Sequence, residues 1–398
     1  MAVRFLNEEV SELCLGKPEL RCVAATATVA EALTALKTCG ETHVSVWICG
    51  GDDINGTCLC VGKICAADVI LFLCREEHLA DPFKAFEAPI SDVLPKGSPV
   101  VRHLEPNSSL LEAIDYILEG TQNLVIPVQN HHHISNSRKN LLNKQPPFVC
   151  TRHNSHEYCW LTQEDIIRFL LNSIRAFSQI ATFTINSLNV IDHDIMTVHY
   201  NSPASSALDF FHRALTEQTS VAVVDEENRL IGEISPFTLA CCDETAAAAI
   251  MALSAGELMT YIDCAGPTED MVQLVKMKLE LRNLGGMVEL MDDSFHSSVS
   301  SSSSCCSSDD EFGSSRNGRL CRTVGSGRHY PARRSEAVVC SPRSSLVAVM
   351  IQALAHRVSC VWVVEDDHTL VGTVTFAGIL KVFRSVAGGR HNKLEVDS

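Results

Sequence analysis

Long apolar runs, an excess of positive charge and the common catalytic signatures are all missing from this chain of 398 residues. No stretch approaches the ~20 residues that a membrane helix needs, and the longest runs, such as Val69 to Cys74, are far too short. A formal net charge of -16 offers no basic face to a phosphodiester backbone or an anionic bilayer, so proteins and small molecules are the expected partners. Glu8, Glu9 and Glu12 near the amino terminus do not suit a secretory or transit peptide, which points to the cytoplasm or nucleus. There is no P-loop, no Gly-x-Ser-x-Gly elbow and no pair of histidines on a helix face beside a glutamate. Enzyme activity is therefore not expected.

What the chain has instead is repetition. Four times, an apolar strand leads through a small-residue cap into a helix, and a second strand follows. The cap recurs as Pro106-Asn107-Ser108-Ser109-Leu110, Pro203-Ala204-Ser205-Ser206-Ala207 and Pro342-Arg343-Ser344-Ser345-Leu346. Thr28 stands in the same place in the first copy, suited to bond the free amides of a first helical turn. Behind the caps, Val29, Ala32, Leu33 and Leu36 fall on one helical face. The same offsets hold Leu110, Ala113, Ile114 and Ile117, then Ala207, Phe210, Phe211 and Ala214, then Leu346, Val349, Met350 and Ala353. After each helix comes a run suited to a buried strand: Val44 to Ile48, Leu124 to Val128, Val221 to Val224 and Val361 to Val364. With 46% hydrophobic residues, the chain can fill two domains with sizeable cores. Repeated units bury their cores against one another, so the clefts between copies are where function is sought.

Each copy closes on a strand-to-helix junction: Val61-Gly62-Lys63-Ile64-Cys65-Ala66-Ala67-Asp68, then Cys159-Trp160-Leu161-Thr162-Gln163-Glu164-Asp165, then Ile231-Gly232-Glu233-Ile234-Ser235-Pro236-Phe237-Thr238, then Val371-Gly372-Thr373-Val374-Thr375-Phe376-Ala377-Gly378. The strand-helix-strand-strand-helix order with a Gly-apolar-x-Ser/Thr-x-x-Asp junction resembles the CBS (cystathionine β-synthase) domain, whose copies pair into Bateman modules. Short lead-in helices of the CBS type are expected at Val10 to Leu13, Ile90 to Leu94, Ile185 to Leu188 and Ser254 to Met259. Among four-repeat families the chain is most similar to the plant CBSX proteins, related in layout to the gamma subunits of AMP-activated kinase.

The resemblance implies an α/β fold of four such repeats in two modules. The first module is expected over residues 1–175 with a loop insertion at 129–157. The second is expected over 176–390, interrupted by a disordered Ser/Arg-rich insertion at 291–335, with a tail at 391–398.

It also implies a non-catalytic regulatory or sensor protein. In the CBS family the junction carboxylate accepts from ribose hydroxyls and the hydroxyl three residues earlier contacts phosphate, which suits an acceptor-only group and a hydroxyl beside free helix amides. Carried onto this chain, Thr162 with Asp165 keeps both groups. Asp68 is paired with Cys65, Ser235 with Thr238, and Thr375 with Gly378, so these sites are partial. Where kinase gamma subunits carry a His-Arg pair ahead of the central strand, only His43 remains as a candidate cation; the others read Gln122-Asn123, Thr219-Ser220 and Ser359-Cys360. The expected regulatory ligand is adenosine-containing (AMP, ATP or S-adenosylmethionine) and weakly held. The expected partner is a kinase complex or a redox enzyme, with homodimerisation a further option. The alternative is a ligand-free CBS scaffold for protein docking or self-association.

Eighteen cysteines read mostly as small buried hydrophobes, as at Cys22, Cys39, Cys65, Cys74 and Cys360. Cys150, His153, His156 and Cys159 form a zinc-type donor set, with His131, His132 and His133 upstream. Steps of three residues do not match the paired spacing of zinc fingers, and no metal site is assigned. The Ser-rich tract from Ser294 to Ser308 precedes Asp309, Asp310 and Glu311. Ser307 and Ser308, and Ser335 after Arg333 and Arg334, are candidate phosphorylation sites. The stretch from Cys241 to Ala249 reads as close helix packing.

Overall fold

The computed structural model describes residues 6–50, 58–95, 101–128, 149–177, 180, 182–264, 268–292 and 335–387. Each repeat builds one small mixed sheet. In the first, β1 (Cys22–Ala24) runs parallel to the central β2 (Val44–Ile48), and β3 (Leu59–Ile64) pairs antiparallel on its other side. The second repeats this with β4 (Val101–His103), β5 (Asn123–Pro127) and a hairpin of β6 (Arg152–His153) and β7 (His156–Leu161). β8 (Thr197–His199), β9 (Val221–Val224) and β10 (Leu230–Ile234) form the third sheet. β11 (Val339–Cys340), β12 (Cys360–Val364) and β13 (Leu370–Thr375) form the fourth. Central strands β2, β5, β9 and β12 are almost wholly buried, as their continuous apolar runs require.

Local chemistry sets the helices. Thr28 accepts from the Glu31 amide at 3.2 Å while Glu31 accepts from the Thr28 amide at 2.9 Å, and Gly40 in the left-handed region closes helix Val29–Cys39. Ser109 and Ser345 cap their helices by accepting from the Glu112 and Ala348 amides, without the reciprocal bond. The third copy departs from the expected pattern. Residues Ala204–Ala207 make a 3-10 turn before helix Leu208–Glu217; Ala207, Phe211 and Ala214 are buried as the pattern predicts, while Phe210 is 38% exposed.

The lead-in segments are exchanged within each pair. Glu9 bridges to Ser109 and Pro89 to Thr28, and in the other module Thr184 bridges to Ser345 and Ser254 to Pro203. This exchange explains the recurrent junction glycine. A Cβ on Gly62 would lie 2.5 Å from Leu94, one on Gly232 2.2 Å from Met259, and one on Gly372 2.6 Å from the Asp192 carbonyl. Leu94, Met259 and Asp192 all belong to the lead-in segments of the partner repeats, which pass these glycines closely.

Two kinds of interface join the copies. Sheet packs on sheet within a module: Cys22, Trp47, Cys60, Val125 and Tyr158 form one interior, and Ala222, Val224, Cys360, Trp362 and Leu370 form the other. Helices pack between modules. Ala66–Leu73 of the first repeat meets Pro236–Ala240 and Ala246–Ala252 of the third, and Phe376–Ala387 of the fourth meets Leu110–Leu118 and Gln163–Asn172 of the second. Ala246 to Ala249 are fully buried in that contact, small enough for close approach. The four repeats thus form a ring in which every copy has one sheet neighbour and one helix neighbour.

Two expected boundaries shift. Residues 149–157 belong to the second sheet, where Cys150 bridges to Cys22 and β6 pairs with β7, so the insertion expected to end at 157 gives way to structure by 149. Residue 335 is also part of the fold: its carbonyl accepts from the Glu233 amide at 2.9 Å. Residues 129–148, 293–334 and 388–398, with His131, His132, His133, Ser307 and Ser308 among them, lie outside the described residues.

Candidate functional site at the centre of the ring

All four junctions are first of all helix caps. Thr162 Oγ1 accepts from the Asp165 amide at 3.3 Å and donates to Asp165 Oδ2 at 2.6 Å, and the Thr162 amide donates to the same carboxylate at 2.8 Å. The Cys65 amide donates to Asp68 at 2.8 Å. Ser235 and Thr238 bond reciprocally at 3.1 Å, and Thr375 accepts from the Gly378 amide at 3.1 Å. The hydroxyl and carboxylate spacing read from the sequence is the spacing of a capping box. Any binding role is built on that structural one.

These helix starts converge on a central cavity of about 250 Å³. The junctions contribute Cys65, Asp68, Thr162, Ser235 and Phe376, and the loops ahead of the central strands contribute Thr42, His43, Gln122, Asn123, Thr219 and Arg357 to Ser359. Equivalent positions of every repeat therefore face one space. Among the sequence-derived site residues, His43, Asp68, Thr162 and Ser235 line it, whereas Asp165 and Thr375 do not. Asp165 is turned to the lead-in segment, where the Lys17 ammonium pairs with its Oδ2 and also donates to the Trp160 carbonyl at 2.6 Å.

His43, the candidate cation, sits in surroundings that oppose its charge. Burial pushes the imidazole well below its ordinary pKa and the adjacent Lys63 charge adds to the effect, which works against a cation at His43; its Nδ1 lies 2.7 Å from Thr42 Oγ1. Lys63, one residue before the end of β3, lines the cavity instead and donates to Asn123 Oδ1 at 3.3 Å. Burial lowers its pKa, opposed by Cys65 and Asp68, while burial raises that of Asp68 against the Cys65 bonds and Lys63. These two side chains keep partial surface, and both line the cavity. Asn123 spends its oxygen on Lys63, and its Nδ2 is buried without a hydrogen-bond partner. A buried donor left open costs roughly 1–3 kcal/mol. Here it lines the cavity beside a cation, where a bound acceptor would satisfy it.

A lysine in an otherwise apolar strand was the available signal for Lys63; nothing local marks Asn123. Arg168, one turn past Asp165, pairs with Glu164 at 2.5 Å. The donor set Cys150, His153, His156 and Cys159 is divided: Cys150 and His153 adjoin, His156 is exposed, and Cys159 is fully buried beside Cys14. Ser335 is 1% exposed, its hydroxyl donating to Asp263 at 2.9 Å, so as a phosphoacceptor it is closed in the folded chain.

A ring of two Bateman modules around a shared cavity defines a CBS-domain regulatory protein. The chain belongs to the CBS domain-containing proteins of the plant CBSX type. The CBS domain family matches residues 187–240 and 332–385. CBS domain-containing protein CBSX5 of Arabidopsis thaliana is 47% identical over 96% of this chain and 98% of its own length. The SNF1-related protein kinase regulatory subunit gamma-like PV42b of the same plant is 22% identical over 96% of each chain. Among solved structures, MJ1225 of Methanocaldococcus jannaschii, described as a putative archaeal homolog of g-AMPK, superposes with a TM-score of 0.53 at 15% identity, covering 94% of this chain and all of that one. No helix among the described residues is long and apolar enough to cross a membrane.

Proposed function

We propose that the central cavity is a weak sensor site for an adenosine-containing ligand, AMP, ATP or S-adenosylmethionine, and that occupancy modulates a bound protein partner. The observation that carries this is the pairing of Lys63 with the open Nδ2 of Asn123. A cation and an unsatisfied donor, beside helix starts, make a cradle for an anionic group. The cavity is slightly smaller than the roughly 300–1,000 Å³ usual for ligand pockets, so it takes only part of a nucleotide. Low affinity follows from that size and from the burial that disfavours a charge on His43. A kinase complex is the partner favoured by the kinship with a kinase gamma-like subunit, and a redox enzyme is the other partner the family resemblance suggests.

Calorimetric titration of the full chain with each of the three ligands tests this. Lys63→Met removes a charge-assisted bond worth about 1.5–3 kcal/mol and should weaken binding by about tenfold or more. If Lys63→Met binds as well as the wild type, the cavity assignment fails. The ligand-free scaffold has its own observation in the Lys17 ammonium on Asp165, which fills the one complete hydroxyl-carboxylate site from within the chain. Silence with all three ligands would select it.

A further inference from the structure

Four thiols crowd one imidazole at the rim of the interface between the first and second sheets. His153 on β6 is 4% exposed and lies flat on Trp47, with ring centroids 3.9 Å apart and 1° between the planes. Cys49 Sγ is 3.4 Å from its Nδ1, and Cys150 Sγ is 3.3 Å from its Nε2. Cys58 completes the Nδ1 side: the donor atoms of Cys49, Cys58 and His153 all lie within 4.8 Å of one another. Two ligands of a tetrahedral zinc ion lie about 3.5 Å apart for sulfur and nitrogen and about 3.8 Å for two sulfurs, given bonds near 2.3 Å and 2.0–2.1 Å. The three donors are thus close to the spacing an ion would impose.

We propose that Cys49, Cys58 and His153 bind one zinc-type divalent cation, with Cys150 as the outer partner of the histidine. With the ring proton placed on Nε2 toward Cys150, 3.3 Å away, the Nδ1 lone pair faces the two thiols, and Cys150 would orient the histidine as outer acceptors do in metal sites generally. Trp47 fixes the ring plane. Asn154 fixes Cys58, accepting from its amide at 2.7 Å and donating to its carbonyl at 2.9 Å. Cys49 is exposed and Cys58 half-exposed, so an ion can enter. The other trio, Cys22, Cys150 and His153, lacks that route: Cys22 is fully buried, its thiol faces the Leu20 carbonyl at 3.5 Å, and its backbone is paired with Cys150 in both directions. Binding releases the two thiol protons, and the fourth position is left to water or another donor. Because Cys49 and Cys58 flank the ends of β2 and β3 while His153 belongs to the second repeat, the ion joins two repeats.

The test uses the full-length chain, reduced and freed of metal with a chelator, then titrated with Zn²⁺ and separately with Co²⁺. One equivalent of Co²⁺ should give thiolate-to-cobalt charge-transfer absorption, and Zn²⁺ should protect Cys49 and Cys58 from alkylation while leaving Cys39 reactive. Cys49→Ser, at an exposed position, keeps the fold and should abolish the cobalt band. His153→Ala should do the same, and Cys150→Ala should weaken binding by about 10- to 100-fold. Equal binding by Cys49→Ser and the wild type overturns the site. So does a Cys49 to Cys58 disulfide in protein purified throughout under a thiol reductant.

Discussion

Lys17, in the segment leading into the first repeat, sets its ammonium on the Asp165 carboxylate of the second repeat's junction. Both side chains are about four-fifths buried, at 18% and 19% exposure, so the pair is far less screened than a surface bridge. Lys17→Met should destabilise the fold by about 1.5–3 kcal/mol, the worth of a hydrogen bond to a charged group. Combined with Asp165→Asn in a double-mutant cycle, the two should couple by at least ~0.5 kcal/mol. Strict additivity in urea denaturation would show that the contact contributes nothing.

The caps predict a graded series. Thr162 both accepts from the Asp165 amide and donates to its carboxylate, whereas Thr375 accepts only from Gly378. Loss of an N-cap costs about 0.5–2 kcal/mol, so Thr162→Ala should fall near the upper end and Thr375→Ala near the lower. Chemical denaturation of the two variants measures the difference. Hydroxyls that served ligand alone would leave both midpoints at the wild-type value.

What was legible in the sequence was what local chemistry decides. Thr28, Ser109 and Ser345 announce helix starts because a cap acts within three residues, and the continuous apolar strands announce burial on both faces. The junction glycines were visible as a pattern, but their cause, the partner repeat's lead-in chain against Gly62, Gly232 and Gly372, lies in contacts remote along the chain. The same holds for the sites. Lys63 and Asn123 meet across 60 residues, and Cys58 and His153 across 95, with no motif to join them. The burial that lowers the His43 pKa is likewise set by distant residues, which spacing does not reveal.

The half-buried charges of the cavity have opposite signatures in pH. Burial lowers the folded pKa of Lys63 below the ordinary lysine value of 10.5, so its contribution to stability is present above that value and is lost as pH falls through the folded one. Asp68, raised above 3.8, behaves in the reverse sense: its contribution is present below 3.8 and is lost as pH rises through the folded value. An anion entering the cavity favours protonated Lys63 and raises its pKa, so binding should take up protons, increasingly as the pH is raised above neutrality. Calorimetry in two buffers of different ionisation enthalpy reads this directly. Uptake should vanish in Lys63→Met, and a heat of binding independent of buffer would separate the ligand from Lys63.

Ser335 gives the sharpest test of where phosphorylation can act. Its hydroxyl and amide both donate to Asp263 Oδ1, at 2.9 and 2.6 Å, and its carbonyl holds the Glu233 amide in β10. A phosphate there would face the Asp263 carboxylate in a space with no surface, adding like-charge repulsion to the cost of burying a charge. Ser335→Asp should therefore lower stability by about 3 kcal/mol or more, in the range of a broken buried network, while Ser335→Ala loses the hydroxyl's bonds alone, about 1 kcal/mol. Ser307 and Ser308 precede three acidic residues. Phosphosite mapping of the intact folded chain after kinase treatment should find phosphate at Ser307 or Ser308 and none at Ser335. Stoichiometric modification of Ser335 in a chain that keeps its wild-type melting temperature would contradict the burial on which this rests.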